Sequence, residues 1–167
     1  MSMVLSFFLR IIPYFLLILF IFFEFAPGYF SDKEIIKPYF TFMFLYALIN
    51  NDSERFRPLW ILLVGLFYDF LEGEVIGITS LFFLITLHFL KRKHSTIVSI
   101  DFKIIWTNFI LILLAYISVN KLIQFVFFDI SFEFRRIILS FFISIILFPL
   151  FNSIVRKFNN RLGYIDE

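Results

Sequence analysis

The chain has 167 residues, is 61% apolar and 23% aromatic with 29 Phe, and carries a net charge of +2. A soluble domain is nearer 45–50% apolar, so the composition points to a polytopic membrane protein with room for one membrane domain and little else. The small net charge gives no reason to expect nucleic acid, and the absence of Cys excludes disulfides, thiol catalysis and Cys-ligated metals.

Six apolar segments follow in chain order: 11–30, 38–49, 58–71, 76–90, 102–128 and 137–155. Backbone polar groups must be satisfied within each segment in lipid, so the expected fold is all-α with six transmembrane helices. In the first segment Arg10 precedes about 20 apolar residues with no A-x-A site after them, which reads as a retained span rather than a cleaved signal. The second and third segments are short, covering only ~18–21 Å as helix. Each opens on a proline, Pro38 and Pro58, suited to a first helical position where an N–H would be unsatisfied.

Between the third and fourth segments the stretch GLFYDFLEGEVIGITS places Asp69, Glu72 and Glu74 within six residues. Asp69 sits near a helix end, either as a buried carboxylate with a cationic partner or ion, or as a residue facing water. Gly73 and Gly77 permit a tight turn or a close helix approach. Glu72 and Glu74 lack the divergent environments of an acid–base pair and read as a solvated turn.

The fourth segment ends in Lys91, Arg92 and Lys93, which read first as a topology signal and otherwise as residues among anionic headgroups or against a cytoplasmic partner; Arg156 and Lys157 after the sixth are expected at the same membrane surface. His88 and His94 share no helix face and no third ligand stands near, so no metal site is expected. The fifth segment carries Asn108, Asn120 and Lys121; a pair of Lys121 with Asp69 or with Glu24 would tie spans together. In the sixth, Pro149 is expected to kink the helix. The hydroxyls Thr79, Ser80, Thr86, Ser118, Ser140 and Ser144 are expected to bond backbone carbonyls or neighbouring helices, and the many Phe to face lipid. No G-x-S-x-G, HExxH or phosphate loop is present.

Arg10, Arg55, Arg57, Lys91, Arg92, Lys93, Lys103, Arg156, Lys157 and Arg161 fall on one side of the alternating segments, ten basic residues against four on the other (Lys33, Lys37, Arg135 and Arg136). The bias places both termini in the cytoplasm, with Trp60 and Trp106 in the inner aromatic belt.

GLFYDFLEGEVIGITSLFFLITLHFL resembles the signature of the rod shape-determining protein MreD family, in which a Gly-x-x-x-Asp helix end (Gly65, Asp69) precedes a Gly-containing turn (Gly73) and a Gly that opens the next span (Gly77). IIKPYFTFMFLYAL, with Pro38, is similar to the family's second span, and FFDISFEFRRIILSFFISIILFPLFNSIVRKF, with Pro149, to its last. The acidic Glu72 and Glu74 depart from the small or polar residues usual in that turn. The resemblance implies a non-enzymatic, cofactor-free inner-membrane scaffold of the cell-elongation complex. It would bind MreC and work with MreB, RodA and an elongation-specific transpeptidase in lateral peptidoglycan synthesis. It also implies that the lipid-facing sides of the short second and third spans, with Gly65 and Gly77, would pack against the MreC helix. The family is similar in fold to the substrate-binding subunits of energy-coupling-factor vitamin transporters, so such a subunit is the rival reading, with Asp69 and Lys121 lining a pocket. The short outer loops offer that pocket few convergent polar groups.

Overall fold

The computed structural model describes residues 2–25, 36–54, 56–73, 75–94, 101–128 and 134–163. These form six helices, α1 (Ser2–Phe25), α2 (Phe40–Asn51), α3 (Pro58–Glu72), α4 (Ile78–His94), α5 (Phe102–Phe128) and α6 (Phe134–Gly163), with no strand among the described residues.

The shortest helix is the centre. The sequence of α2, FTFMFLYALINN, is apolar on every face, and Thr41 to Asn50 are all buried. A helix of this kind needs neighbours all round, and α1, α4, α5 and α6 each pack against it. α3 lies outside this ring position, against α1 and α4. The second segment, expected to offer a face to a partner, is therefore enclosed by its own chain.

Aromatic rings fill the space around α2. Phe109 of α5 stacks on Phe148 of α6 with centroids 4.0 Å apart, and Tyr46 of α2 meets both rings edge-on. Phe42 stacks on Tyr116 at 5.2 Å, and Phe82 of α4 closes on the same tyrosine. Phe20 of α1 reaches Phe44 and Phe151. Part of the phenylalanine content is thus core, in place of the lipid-facing role expected for it. The rest does face outward: Phe15, Phe22, Phe70, Leu122, Phe142 and Ile146 are all more than half exposed. An apolar surface of this extent is a liability in water and the natural complement of lipid.

Two helices are long and apolar enough to cross a membrane, over Phe102–Phe127 and Phe134–Lys157. Residues Ile12–Phe25 and Phe40–Asn51 form shorter apolar helices.

Some boundaries differ from the sequence reading. α1 starts at Ser2 and α6 runs from Phe134 to Gly163, since helix propagates through flanking polar residues wherever none breaks it. Pro38 is not the first residue of α2; its carbonyl accepts from Phe40 N at 2.8 Å, and the helical ladder opens with Met43 N to Tyr39 O. Pro58 does hold the first position of α3. Pro149 lies inside an α6 that continues on both sides of it.

Candidate functional site

Asp69 stands one turn before the end of α3 and is 2% exposed. Its Oδ2 accepts from Gly77 N at 2.7 Å and Ser80 Oγ at 2.9 Å, and its Oδ1 from Thr79 N at 3.1 Å. The first turn of α4 has N–H groups with no partner inside their own helix. Gly77, just ahead of that turn, has no side chain to cap them. The Asp69 carboxylate supplies the cap from the preceding helix, and its charge is favourable at a helix N-terminus.

The hairpin geometry makes this reach possible. Gly73 closes α3 at φ 72°, its N–H bonding the Asp69 carbonyl at 3.1 Å, and Gly77 turns the chain into α4 at φ 106°. Higher up, Gly65 lets the two helices touch. A Cβ there would fall on the Ser80 Cα, with Ser80 Cβ 2.8 Å and Ser80 N 2.9 Å away. Gly65 is therefore consumed within the chain and presents no surface to a partner helix. Gly77 has open space where a Cβ would stand, so its conformation matters rather than close approach.

The hairpin is tied onward. Thr79 Oγ1 and the Tyr116 hydroxyl share a hydrogen bond of 3.1 Å, linking α4 to α5. A second carboxylate does for α1, α2 and α3 what Asp69 does for the hairpin. Glu24, 8% exposed, accepts from Thr41 N in the first turn of α2 at 2.8 Å and from the Tyr68 hydroxyl of α3 at 3.0 Å. Lys37 Nζ bonds the Glu24 carbonyl at 3.0 Å, satisfying an end of α1. Sequence reasoning named Glu24 only as an ion-pair candidate and missed Thr41 and Tyr68. The available signal was a carboxylate inside an apolar segment, facing a helix start that lacks a capping side chain of its own.

Asp69 and Glu24 accept from Gly77, Thr79, Ser80, Thr41 and Tyr68, while Lys121 Nζ donates to Gln124 Oε1 at 2.6 Å, three residues along its own helix. Gln124 Nε2 continues to Asn120 Oδ1 at 3.3 Å. Neighbours at this spacing on a helix meet without any tertiary contact. Glu72 is half-buried, and Glu74 lies outside the described residues.

The hydroxyls behave as membrane hydroxyls do. Thr86, Thr107 and Ser144 bond carbonyls four residues back, at 2.8, 2.9 and 2.7 Å, and Ser144 Oγ also accepts from Tyr39 N. At the other end of the bundle Asn51 Nδ2 donates to Asn152 Oδ1 at 3.2 Å, seating α6 on the end of α2. Arg92, Arg156 and Lys157 are exposed there and Lys91 is half-buried; the side chain of Lys93 lies outside the described residues, as do Lys33, Arg55, Asp129 and the side chains of Arg10, His94 and Arg161. Trp106, read as a belt residue, donates its Nε1 to the Ile145 carbonyl at 3.2 Å.

Among the described residues no three of His, Asp and Glu come together as metal ligands. Each buried carboxylate spends its acceptors on joining helices. The arrangement holds structure in place. No curated protein and no solved structure matches the chain. The family model for the rod shape-determining protein MreD matches residues 1–158, almost the whole chain, and the chain therefore belongs to the MreD family of membrane proteins that act in rod shape determination.

Proposed function

We propose that this protein is a non-enzymatic, six-span scaffold of the cell-elongation complex, with both termini in the cytoplasm of a bacterial inner membrane. It binds MreC and, through that complex with MreB, RodA and an elongation-specific transpeptidase, supports lateral peptidoglycan synthesis. The observation that carries the reading is the use made of the buried carboxylates. Asp69 and Glu24 are both committed to helix starts and helix-to-helix bonds, which suits a rigid body that positions partners. The space between α2, α4 and α5 is occupied by Phe42, Phe82, Phe83 and Tyr116. With α2 enclosed and Gly65 packed on Ser80, the MreC helix is assigned to the outward faces of the surrounding helices. The basic residues Lys91, Arg92, Lys93, Arg156 and Lys157 sit among anionic headgroups in this arrangement. The six-helix body is akin to the substrate-binding subunits of energy-coupling-factor transporters in fold alone.

The test is a detergent pull-down from native membranes with tagged wild type, Asp69→Ala and Glu72→Ala, read by mass spectrometry. Wild type and Glu72→Ala are expected to recover MreC and the elongation synthases, and Asp69→Ala to lose them. Recovery of a transporter ATPase pair, or of a bound vitamin, would overturn the scaffold reading.

A further inference from the structure

Pro149 has no N–H, so the carbonyl of Ile145, one turn earlier in α6, lacks its usual donor four residues on. That carbonyl accepts from Trp106 Nε1 of α5 at 3.2 Å. Neighbouring helices commonly re-satisfy backbone groups freed by proline in a membrane. Here the donor comes from a residue at the edge of the bundle, 36% exposed.

We propose that Trp106 and Pro149 form a joint in α6, closed by this one hydrogen bond. The two sides of the joint are fastened to opposite ends of α2. On one side Ser144 Oγ accepts from Tyr39 N, just ahead of α2, at 2.9 Å. On the other, Asn51 Nδ2 in the last turn of α2 donates to Asn152 Oδ1 at 3.2 Å, and Asn159 Nδ2 to the Asn51 carbonyl at 3.4 Å. The proline falls between these attachments, where α6 lacks one rung of its own ladder. An indole has a single donor. Trp106 can cap Ile145 or serve an acceptor at the membrane surface, a water or a lipid carbonyl, but not both. One donor with two acceptors makes a two-state element. With the cap on, the stretch of α6 between its two attachments to α2 is fixed to α5. With the cap off, that stretch bends at the proline.

The chain has no Cys, so nitroxide labels can be placed at Leu63→Cys and Ile154→Cys, both exposed, in the full-length protein in lipid nanodiscs. Pulsed electron paramagnetic resonance then reads the distance from α3 to the far end of α6. Trp106→Phe keeps a ring and removes the donor. It is expected to broaden and shift the distance distribution. Pro149→Ala restores an N–H to Ile145, so Trp106→Phe with Pro149→Ala is expected to return the wild-type distribution. A Trp106→Phe distribution identical to wild type would overturn the joint. So would equal broadening with and without Pro149→Ala, since the ring rather than the bond would then matter. If Trp106→Phe fails to fold, rescue by Pro149→Ala supports the joint and failure of rescue overturns it. Failure of Pro149→Ala alone to fold also overturns it.

Discussion

Asp69→Asn keeps the size of the side chain but replaces one acceptor oxygen with a donor, which must face either Thr79 N or Gly77 N and Ser80 Oγ, groups that already donate. Asp69→Ala removes both oxygens and leaves the α4 amides without partners. Hydrogen bonds to a charged group contribute about 1.5–3 kcal/mol, and an orphaned buried donor costs about 1–3 kcal/mol. Asp69→Ala is therefore expected to lose ~3 kcal/mol of stability and Asp69→Asn a similar amount, since it sets donor against donor. Thermal unfolding in detergent measures both, and wild-type melting of either variant would contradict the capping role. The two nearby glycines separate by mechanism. Gly65→Ala drives a Cβ into the Ser80 backbone, an overpacking that costs roughly 1–3 kcal/mol or more where backbone cannot give. Gly73→Ala meets no atom but must hold φ 72°, a left-handed conformation costing about 1–2 kcal/mol. The same melting series is expected to place Gly65→Ala below Gly73→Ala.

At the scale of the helices, α1, α2 and α3 meet at Glu24. Thr41 N and the Tyr68 hydroxyl share its carboxylate, so removing either end strands the other. A double-mutant cycle of Glu24→Ala and Tyr68→Phe is expected to show a coupling of about 1–2 kcal/mol, within the range for contacting residues; additive effects would mean the bond contributes nothing. This junction also marks what was legible beforehand. The apolar segments and their proline and glycine punctuation were readable because a helix in lipid leaves a long compositional trace. Asp69 was readable as a carboxylate near a helix end, but the choice between a cationic partner such as Lys121, water and the amides of the next helix was not. That choice depends on how far α4 lies from α3, which Gly65 and Ser80 set by contact. The central place of α2 was hidden for a similar reason. Twelve apolar residues look like an incomplete span, and only the packing of four other helices around them shows a core. The role of Trp106 was hidden because belt position and carbonyl capping ask for the same residue.

For the whole molecule, an enclosed α2 leaves the outward faces of the other helices to meet lipid and partners, and orientation decides which ends face which compartment. The Asn51–Asn152 bond puts the end of α2 and the far part of α6 at one end of the bundle, with exposed Arg57, Arg92, Arg156 and Lys157. The α3–α4 hairpin, capped by Asp69, marks the other end. Anionic headgroups and the insertion bias for Lys and Arg favour the basic end inside. The absence of Cys lets this be tested one residue at a time. Glu54→Cys, in the exposed turn after α2, and Ile76→Cys, 66% exposed in the hairpin, report the two ends. A membrane-impermeant maleimide added to spheroplasts is expected to label Ile76→Cys at once, and Glu54→Cys only after the membrane is opened. The opposite order would invert the molecule and place the basic end, with both termini, outside. Labelling of both without opening would mean that α3, the helix between them, does not cross the bilayer, and the six-span scaffold would have to be abandoned for one anchored by α5 and α6.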